Sequence, residues 1–196
     1  MQRSGWRNAS GPPPHRPVRR AVAMTMQERT VSSRTEIFTE AMARLASGVA
    51  VVTSRHRGGA PCGLLVSSIC SYSVRPPSVL VSIGRESRSY PALLGQADFG
   101  VHLLGSGDGP IARVFASRGE DKFAGLDWAW DDSVPRLEND VLVYLRCVRR
   151  RVFEHADHAI VIGEVADGQI SHGEPLVYYR RALDWRLEPP GHGRVR

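Results

Sequence analysis

Residues 48–77 constrain the fold of this chain more than any other segment, because they place two apolar, β-branched runs around a glycine turn. The segment reads GVAVVTSRHRGGAPCGLLVSSICSYSVRPP. Val49–Thr53 and Cys62–Val66 predict two strands, and Arg57-Gly58-Gly59 predicts the turn between them. The second run ends in hydroxyl side chains, which are Ser67, Ser68, Ser71 and Ser73. Serines of this kind serve ordinary turn chemistry, and beside backbone N–H groups they also suit a phosphate or a polar ligand edge, so both interpretations stay open.

A helix is predicted upstream of this hairpin. Ser33-Arg34-Thr35-Glu36 has the pattern of a capping box. The apolar residues that follow at helical spacing are Ile37, Phe38, Ala41, Met42, Leu45 and Ala46. We expect this helix to end near Ser47-Gly48, where glycine favours a stop.

The rest of the chain predicts a mostly β fold. Strands are expected at Ser78–Ile83, Asp98–Leu104, Val141–Arg151, His158–Val165 and Leu176–Tyr179, and short helices at Ser87–Gln96 and Pro110–Ala116. Residues 117–139 are expected to be irregular. Because the strands do not alternate strictly with helices, a doubly wound parallel sheet is disfavoured. The sequence predicts a mostly antiparallel, Greek-key-like barrel with peripheral helices.

The positive charge of the chain lies in its first residues. Residues 1–35 hold seven arginines and one glutamate, which accounts for the whole net charge of +6. The remainder is balanced, so the charge pattern does not predict nucleic acid as a partner of the folded part. We expect a disordered basic leader at 1–34, one domain at 35–187 and a flexible tail at 188–196.

The chain also carries no signal for a membrane or an oxidising compartment. No apolar run approaches the roughly 20 residues that a membrane span needs. Cys62, Cys70 and Cys147 match neither a zinc pattern nor a disulfide framework. A cytoplasmic protein with no membrane partner is therefore expected.

No motif supplies a complete catalytic or metal site. The glycines of segment 105–109 are followed by Pro110, which breaks the dinucleotide-binding pattern. His155 and His158 would point to opposite faces if they shared one strand, which argues against a common metal. Without an evident nucleophile, acid–base pair or metal cluster, the sequence favours chemistry carried by a bound cofactor.

Lys122 is the only lysine of the chain, beside 25 arginines. It lies in the segment FASRGEDKF, residues 115–123. A solvated lysine is one interpretation. The other is a cation near a phosphate, with Phe115 or Phe123 packed beside a flat ring.

The order of these segments resembles the flavin reductase family. The matching pieces are Phe38–Leu45, Ser47–Thr53, Gly63–Pro77, Phe99–Leu104, Phe115-Ala116 with Asp121–Phe123, Ala156–His158 with Ile162–Val165, and Pro175–Tyr179. The resemblance implies an FMN-binding split barrel that forms a homodimer, binds FMN or FAD and oxidises NADH or NADPH. It also implies delivery of reduced flavin to a separate monooxygenase component.

The resemblance also implies site residues. Ser67, Ser68, Ser71 and Ser73 would lie along the ribityl-phosphate side of the flavin, with Ser87 and Ser89 as further phosphate contacts. Lys122 and Phe123 match a basic-aromatic pair near the flavin, and Ser47 and Gly48 match a small pair at the mouth of the site. His158 matches the histidine of a Gly-Asp-His motif near the nicotinamide and is the expected catalytic residue.

Three positions of the cofactor site depart from the family pattern. Leu65 stands where the family often has threonine, which removes a hydroxyl from the flavin side. His102 replaces a common asparagine, and Ala156 replaces the glycine of Gly-Asp-His. We expect these changes to affect flavin affinity and the choice of pyridine nucleotide.

Two alternative functions follow from the same residues. One is a split-barrel protein that binds flavin or haem without being a reductase, such as a sensor or storage protein. The other is a binding module whose function lies in the basic arm of residues 1–35. The first would bind the cofactor without oxidising NAD(P)H, and the second would lose function when the arm is deleted.

Overall fold

A computed structural model describes residues 33–119, 121–138 and 141–187. The predicted leader and tail lie outside these residues. Three helices are described, α1 (Arg34–Ala43), α2 (Tyr90–Gly95) and α3 (Gly109–Ala116). None of the described helices is long and apolar enough to cross a membrane.

The described residues also form twelve strands. They are β1 (Ser47–Gly48), β2 (Ala50–Arg55), β3 (Pro61–Val66), β4 (Ile69–Val74), β5 (Pro77–Gly84), β6 (Asp98–Leu103), β7 (Trp128–Asp131), β8 (Val134–Leu137), β9 (Val143–His155), β10 (His158–Ile170), β11 (Val177–Tyr179) and β12 (Ala182–Trp185). The prediction of a mostly antiparallel β fold with peripheral helices is confirmed, because every strand pair is antiparallel.

Seven strands form one curled sheet in the order β3-β2-β6-β9-β10-β5-β4. Only Ser67 and Ser68 separate β3 from β4, yet these two strands lie at opposite edges of the sheet. The sheet must therefore curl until its two edges approach each other at this turn. Ser82 N–H of β5 anchors this turn by donating to the Ser68 carbonyl at 2.9 Å, next to the pairing of β4 with β5. The described strands form no ladder between β3 and β4, so the barrel stays open along this seam.

Helix α1 begins as predicted and ends early. The Ser33 side chain accepts from Glu36 N–H at 3.1 Å and Ser33 N–H donates to the Glu36 carboxylate at 2.7 Å, which confirms the capping box. The helix ends at Ala43, because Arg180 N–H donates to the Ala43 carbonyl at 2.8 Å and the chain turns into β1. Its apolar face does not enter the core, since Phe38 is 62% exposed.

Other differences from the prediction concern short strands. The serine-rich segment after β3 forms β4, and the segment predicted to be irregular contains the β7–β8 hairpin. Both escape a periodicity search because their burial does not alternate regularly with exposure. A three-stranded sheet, β1-β11-β12, completes the fold.

Two apolar clusters fill the two sides of the curled sheet. One contains Phe99, Val81 and Val161 inside the barrel. The other contains Phe115 of α3 with Phe123 and Leu137, and it extends to the cavity described below. The last turn of α3 packs against β3 through Phe115. This packing positions one wall of the cavity.

The turn between β9 and β10 carries backbone strain at Ala156. His155 pairs with His158, so Ala156 and Asp157 form a two-residue hairpin turn. Ala156 has a φ of 49°, in the left-handed region that favours glycine. We expect Ala156→Gly to raise the free energy of unfolding by about 1 kcal/mol, measured by urea denaturation.

The matched control is Ala129→Gly on the exposed strand β7. Glycine in a strand interior costs about 0.5–1 kcal/mol, so this variant should be destabilised. Destabilisation of Ala156→Gly to the same extent would contradict the strain argument.

Candidate functional site

One large cavity of about 960 Å³ lies over β3, an edge strand of the curled sheet. Its walls are formed by residues 60–65, by the β5–α2 loop at 86–89, and by the segments 115–119 and 121–124 that follow from α3. His56 and Trp128 also line the cavity. This volume is near the upper end of the roughly 300–1,000 Å³ typical of small-molecule sites.

The backbone of Gly63 forms the floor of the cavity. Lys122 Nζ donates to the Gly63 carbonyl at 3.4 Å, so this carbonyl points away from β2 and toward the cavity. In an antiparallel edge strand, the N–H and carbonyl of one residue point to the same side of the strand. The backbone N–H and carbonyl of Leu65, two residues further on, therefore also point toward the cavity. A side chain at position 63 is excluded, because an added Cβ would lie 2.7 Å from Phe115 Cε1.

Lys122 is held in place by backbone carbonyls. Besides Gly63, its Nζ donates to the Phe115 carbonyl at 2.8 Å, at the C-terminal end of α3. Burial lowers the pKa of the Lys122 ammonium, and the positive charge of Arg88 lowers this pKa further. An ammonium has three N–H donors, so one remains after these two bonds.

Arg88 and Lys122 make the cavity attractive to anions. Both line it, and neither forms an ion pair with a carboxylate of the described residues. Asp121 is occupied by the backbone, because its Oδ1 accepts from Phe123 N–H and Ala124 N–H at 3.0 Å each. Two neighbouring cations without a carboxylate between them suit a phosphate group.

Small polar groups lie beside these cations. Ser87 Oγ accepts from Ser89 N–H at 3.3 Å, which orders the loop before α2. Ser89 is buried, and its side chain interacts with Cys62. Burial raises the pKa of the Cys62 thiol to about 11, so this cysteine is a packing residue rather than a nucleophile.

Aromatic rings form the wall near Leu65. Phe115, Phe123, Trp128 and Trp130 make consecutive edge-to-face contacts, each with ring centroids 5.3 Å apart. The first three of these residues line the cavity. Contacts of this kind fix the rings and leave a rigid apolar surface for a flat ligand.

The structure brings five of the sequence-predicted cofactor residues to this cavity. They are Leu65, Ser87, Ser89, Lys122 and Phe123. Two further candidate residues of the cavity lining, Arg88 and Trp128, were not assigned to the site from the sequence. Arg88 stands between the two predicted serines, so its position in that loop was the available signal.

The serines of the β3–β4 segment lie elsewhere. Ser67 and Ser68 form the turn at the barrel seam, and Ser68 Oγ donates to the Ser82 carbonyl at 2.8 Å. Ser71 and Ser73 lie on β4, where Ser73 Oγ accepts from Arg75 N–H at 3.2 Å. None of these four lines the large cavity.

Ser47 and Gly48 also lie outside the cavity lining. They form β1, where Ser47 pairs with Tyr178 and Gly48 with Val177 of β11. No atom within 4 Å would meet a Cβ added at Gly48, so packing does not require glycine there.

His102 is buried in the core and is not a lining residue. It is 0% exposed, and Leu137 N–H donates to its Nε2 at 3.1 Å. Nε2 is therefore unprotonated, so Nδ1 carries the hydrogen and donates to the Val51 carbonyl at 3.2 Å. Burial lowers the pKa of His102 to about 4. Both ring nitrogens are used by the fold, which leaves none for a cofactor.

His158 lies beside the rim of the cavity rather than in its wall. Asp157 carbonyl accepts from Arg85 N–H at 2.8 Å, and the chain continues from Arg85 into the lining loop 86–89. His158 Nδ1 is 2.8 Å from Asp157 Oδ1, and the His158 side chain is 53% exposed. The hydrogen bond from His158 lowers the pKa of Asp157.

The two histidines of this hairpin do not share a strand. His155 ends β9 and His158 begins β10, and the two pair directly across the turn. The argument for opposite faces held only for two histidines on one strand, so it does not apply to this pair. Among the described residues no group of three or more His, Cys, Asp or Glu side chains is placed to hold a metal ion.

Comparison with known proteins points to one family. Residues 42–185 match the family model described as flavin reductase like domain. A protein of Streptomyces pristinaespiralis named NADH:riboflavin 5'-phosphate oxidoreductase is 39% identical over 149 residues, which are 74% of this chain and 84% of that protein. A Rhodococcus opacus protein is 34% identical over 73% of this chain and 76% of its own length. It is named as the reductase component of 4-nitrophenol 4-monooxygenase/4-nitrocatechol 2-monooxygenase.

The fold agrees with a solved structure of similar proteins. The NADH:FAD oxidoreductase of Streptomyces globisporus C-1027, solved with NAD and FAD fragments, superposes with a TM-score of 0.73. It is 26% identical and covers 82% of this chain and 96% of its own.

Proposed function

The chain belongs to the flavin reductase-like family, and from this premise we propose that the cavity over β3 binds FMN or FAD for reduction by NADH or NADPH. The protein is an NAD(P)H:flavin oxidoreductase that supplies reduced flavin to a separate monooxygenase. The observation that carries the assignment of the site is the presence of Arg88 and Lys122, which form no ion pair with a carboxylate of the described residues, in one cavity with an aromatic wall. A flavin nucleotide has the same two parts, an anionic phosphate and a flat ring.

The residues present fit such a ligand. Gly63 and Leu65 offer edge backbone groups, which can hydrogen-bond to the polar side of a flavin ring. Ser87 and Ser89 add short hydroxyls to the lining that also holds the cations. A bound flavin would supply the hydride acceptor, so the protein needs no acid or nucleophile of its own.

The role of the chain is then to bind, orient and exclude water. The aromatic wall of Phe123 and Trp128 holds a flat ring in one plane. Edge N–H groups of β3 would stabilise negative charge that builds on the ring during reduction. Hydride transfer needs the two reacting rings about 3–3.5 Å apart, which makes orientation the main contribution of the protein.

We also propose that the protein is a homodimer in the cytoplasm. The outer face of the curled sheet carries exposed apolar side chains, including Phe153 and Ile160, which pair across β9 and β10. Burial of this face against a second copy would remove apolar area from water. Light scattering should then give twice the chain mass of 21.6 kDa. The buried thiols Cys62 and Cys147 agree with a reducing compartment.

The test of the reductase function is the loss of NADH absorbance in the presence of purified protein, with and without FMN or FAD. Oxidation that depends on added flavin is expected. Flavin binding without oxidation of either NADH or NADPH would favour the sensor or storage alternative and overturn the proposal.

His158 is expected to act on the pyridine nucleotide. Because it lies at the rim beside loop 86–89, it can orient the nicotinamide without contacting the flavin phosphate. We expect His158→Ala to slow NADH oxidation by about 10- to 100-fold, measured by stopped-flow, while the flavin Kd stays unchanged.

The control variant is His155→Ala, at the paired position of the same hairpin. It should leave the rate unchanged. Equal rates in wild type and His158→Ala would remove His158 from the mechanism.

A further inference from the structure

We propose that the end of the cavity at His56 binds the adenosine diphosphate moiety of a dinucleotide, supplied either by FAD or by the pyridine nucleotide. The inference rests on the proposed function, because it assigns a subsite within the same cavity. It extends that function by naming the moiety and the residue that recognises it.

The cavity is long enough for two separate ring systems. Leu65 packs against the same apolar cluster as Trp128, the cluster that contains Phe123, whereas Pro61 pairs with Arg55, the neighbour of His56. From Pro61 to Leu65 an extended strand covers about 13 Å. The two ends therefore lie too far apart for a single flat ring to contact both.

The cations lie between these two ends. Lys122 is bonded to Gly63, midway along β3, and Arg88 is close enough to lower the pKa of the Lys122 ammonium. A dinucleotide has the same order of parts, with a ring at each end and a diphosphate between them. A mononucleotide with its flat ring on the aromatic wall would reach the cations and leave the His56 end empty.

His56 is suited to hold a purine. Its backbone is fixed on both sides, because its N–H donates to the Ala60 carbonyl and its carbonyl accepts from Gly59 N–H, each at 2.9 Å. The side chain is half-buried and lines the cavity. Imidazole rings stack on nucleobases, and a fixed turn reduces the entropy lost on binding. Arg55 and Arg57 precede and follow it in the sequence but do not line the cavity, whereas Glu86 lies in the lining loop 86–89.

The larger flat ring belongs at the other end. Phe123 and Trp128 are in ring contact, and both line the cavity with Leu65 of the same apolar cluster, which suits the extended three-ring flavin better than the smaller purine. The smaller ring then lies against the single imidazole of His56.

The experiment measures FAD and FMN dissociation constants by flavin fluorescence without NADH, and then the KM for NADH with FMN as the flavin. The variants are His56→Ala, the ring-preserving His56→Phe, and the control Arg57→Ala from the same turn. If FAD supplies the moiety, His56→Ala should weaken FAD about tenfold and leave FMN unchanged. If the pyridine nucleotide supplies it, both flavin constants should stay unchanged and the KM for NADH should rise about tenfold.

In either case His56→Phe should bind like the wild type, because stacking needs a flat ring and not an imidazole nitrogen. The proposal is overturned if His56→Ala behaves like Arg57→Ala in all three measurements, or if it weakens FAD and FMN equally. The flavin dissociation constants are measured without turnover. Absence of reductase activity would therefore refute the proposed function, while the FAD and FMN constants would still test the subsite at His56.

Discussion

Acidification from pH 7 to pH 5 should lower the free energy of unfolding by about 2 kcal/mol through His102 alone, and by about 3 kcal/mol at pH 4. The pKa of His102 falls from 6.5 to about 4 in the folded protein because the ring is completely buried. Between pH 6.5 and pH 4, His102 is protonated in the unfolded chain but stays neutral in the folded protein. The stabilisation is therefore fully present above pH 6.5 and is lost as the pH falls toward 4.

The hydrogen bonds of His102 explain why its ring stays neutral in the folded protein. A proton on Nε2 would face Leu137 N–H, which now donates to that nitrogen at 3.1 Å. Two donors would then oppose each other in a buried site, and a charge would be buried without a partner.

His102→Asn isolates this contribution, because asparagine keeps a donor and an acceptor and does not titrate. Urea denaturation of both proteins at pH 7, 6 and 5 should give a steeper pH dependence for the wild type. Carboxylates titrate in both proteins and cancel in the difference. Parallel curves would show that the folded protein accepts the proton and that the buried ring does not set acid stability.

Removal of the Lys122 charge should weaken FMN by about 10- to 100-fold and riboflavin much less. Lys122 Nζ retains one N–H donor beyond its bonds to Gly63 and Phe115, and with Arg88 it forms the cationic part of the cavity. Riboflavin has the ring and ribityl chain of FMN without the phosphate. The difference between the two ligands therefore reports the contact of the ammonium with the phosphate.

Lys122→Met is the preferred variant, because methionine is unbranched and keeps most of the apolar stem of lysine while removing the charge. It also removes the two bonds to backbone carbonyls, and any resulting disturbance of the cavity should weaken both ligands alike. Isothermal titration of FMN and riboflavin separates the two effects. Equal losses for both ligands would assign Lys122 to the structural task of joining α3 to β3.

The local elements could be predicted where the sequence pattern and the burial pattern agree. The capping box at Ser33, the hairpin of β2 and β3, and the strands β5, β6 and β10 all follow from residues close in sequence. Helix α1 shows the limit of such patterns, because its end depends on a hydrogen bond from Arg180, far along the chain. The apolar residues continue at helical spacing past Ala43, but the helical backbone ends there.

Only part of the site could be predicted, because local sequence patterns do not show which residues distant segments bring together. Lys122 and Phe123 were expected near a flavin and do line the cavity, whereas His102 was expected there and packs in the core. A histidine in an apolar strand has the same local pattern in either place. Its environment is decided by Leu137, which reaches it from another strand.

The sequence by itself determined the strand-rich composition of this protein, its hairpins and the types of polar group available to a ligand. Those properties depend on backbone propensity and on spacings of a few residues, which short-range interactions decide. Only the tertiary structure decided that Arg88, Lys122 and Trp128 face one cavity while the serines of β4 lie elsewhere. The curl of the sheet brings residues from distant segments together, and the direction of that curl follows from packing of the whole sheet.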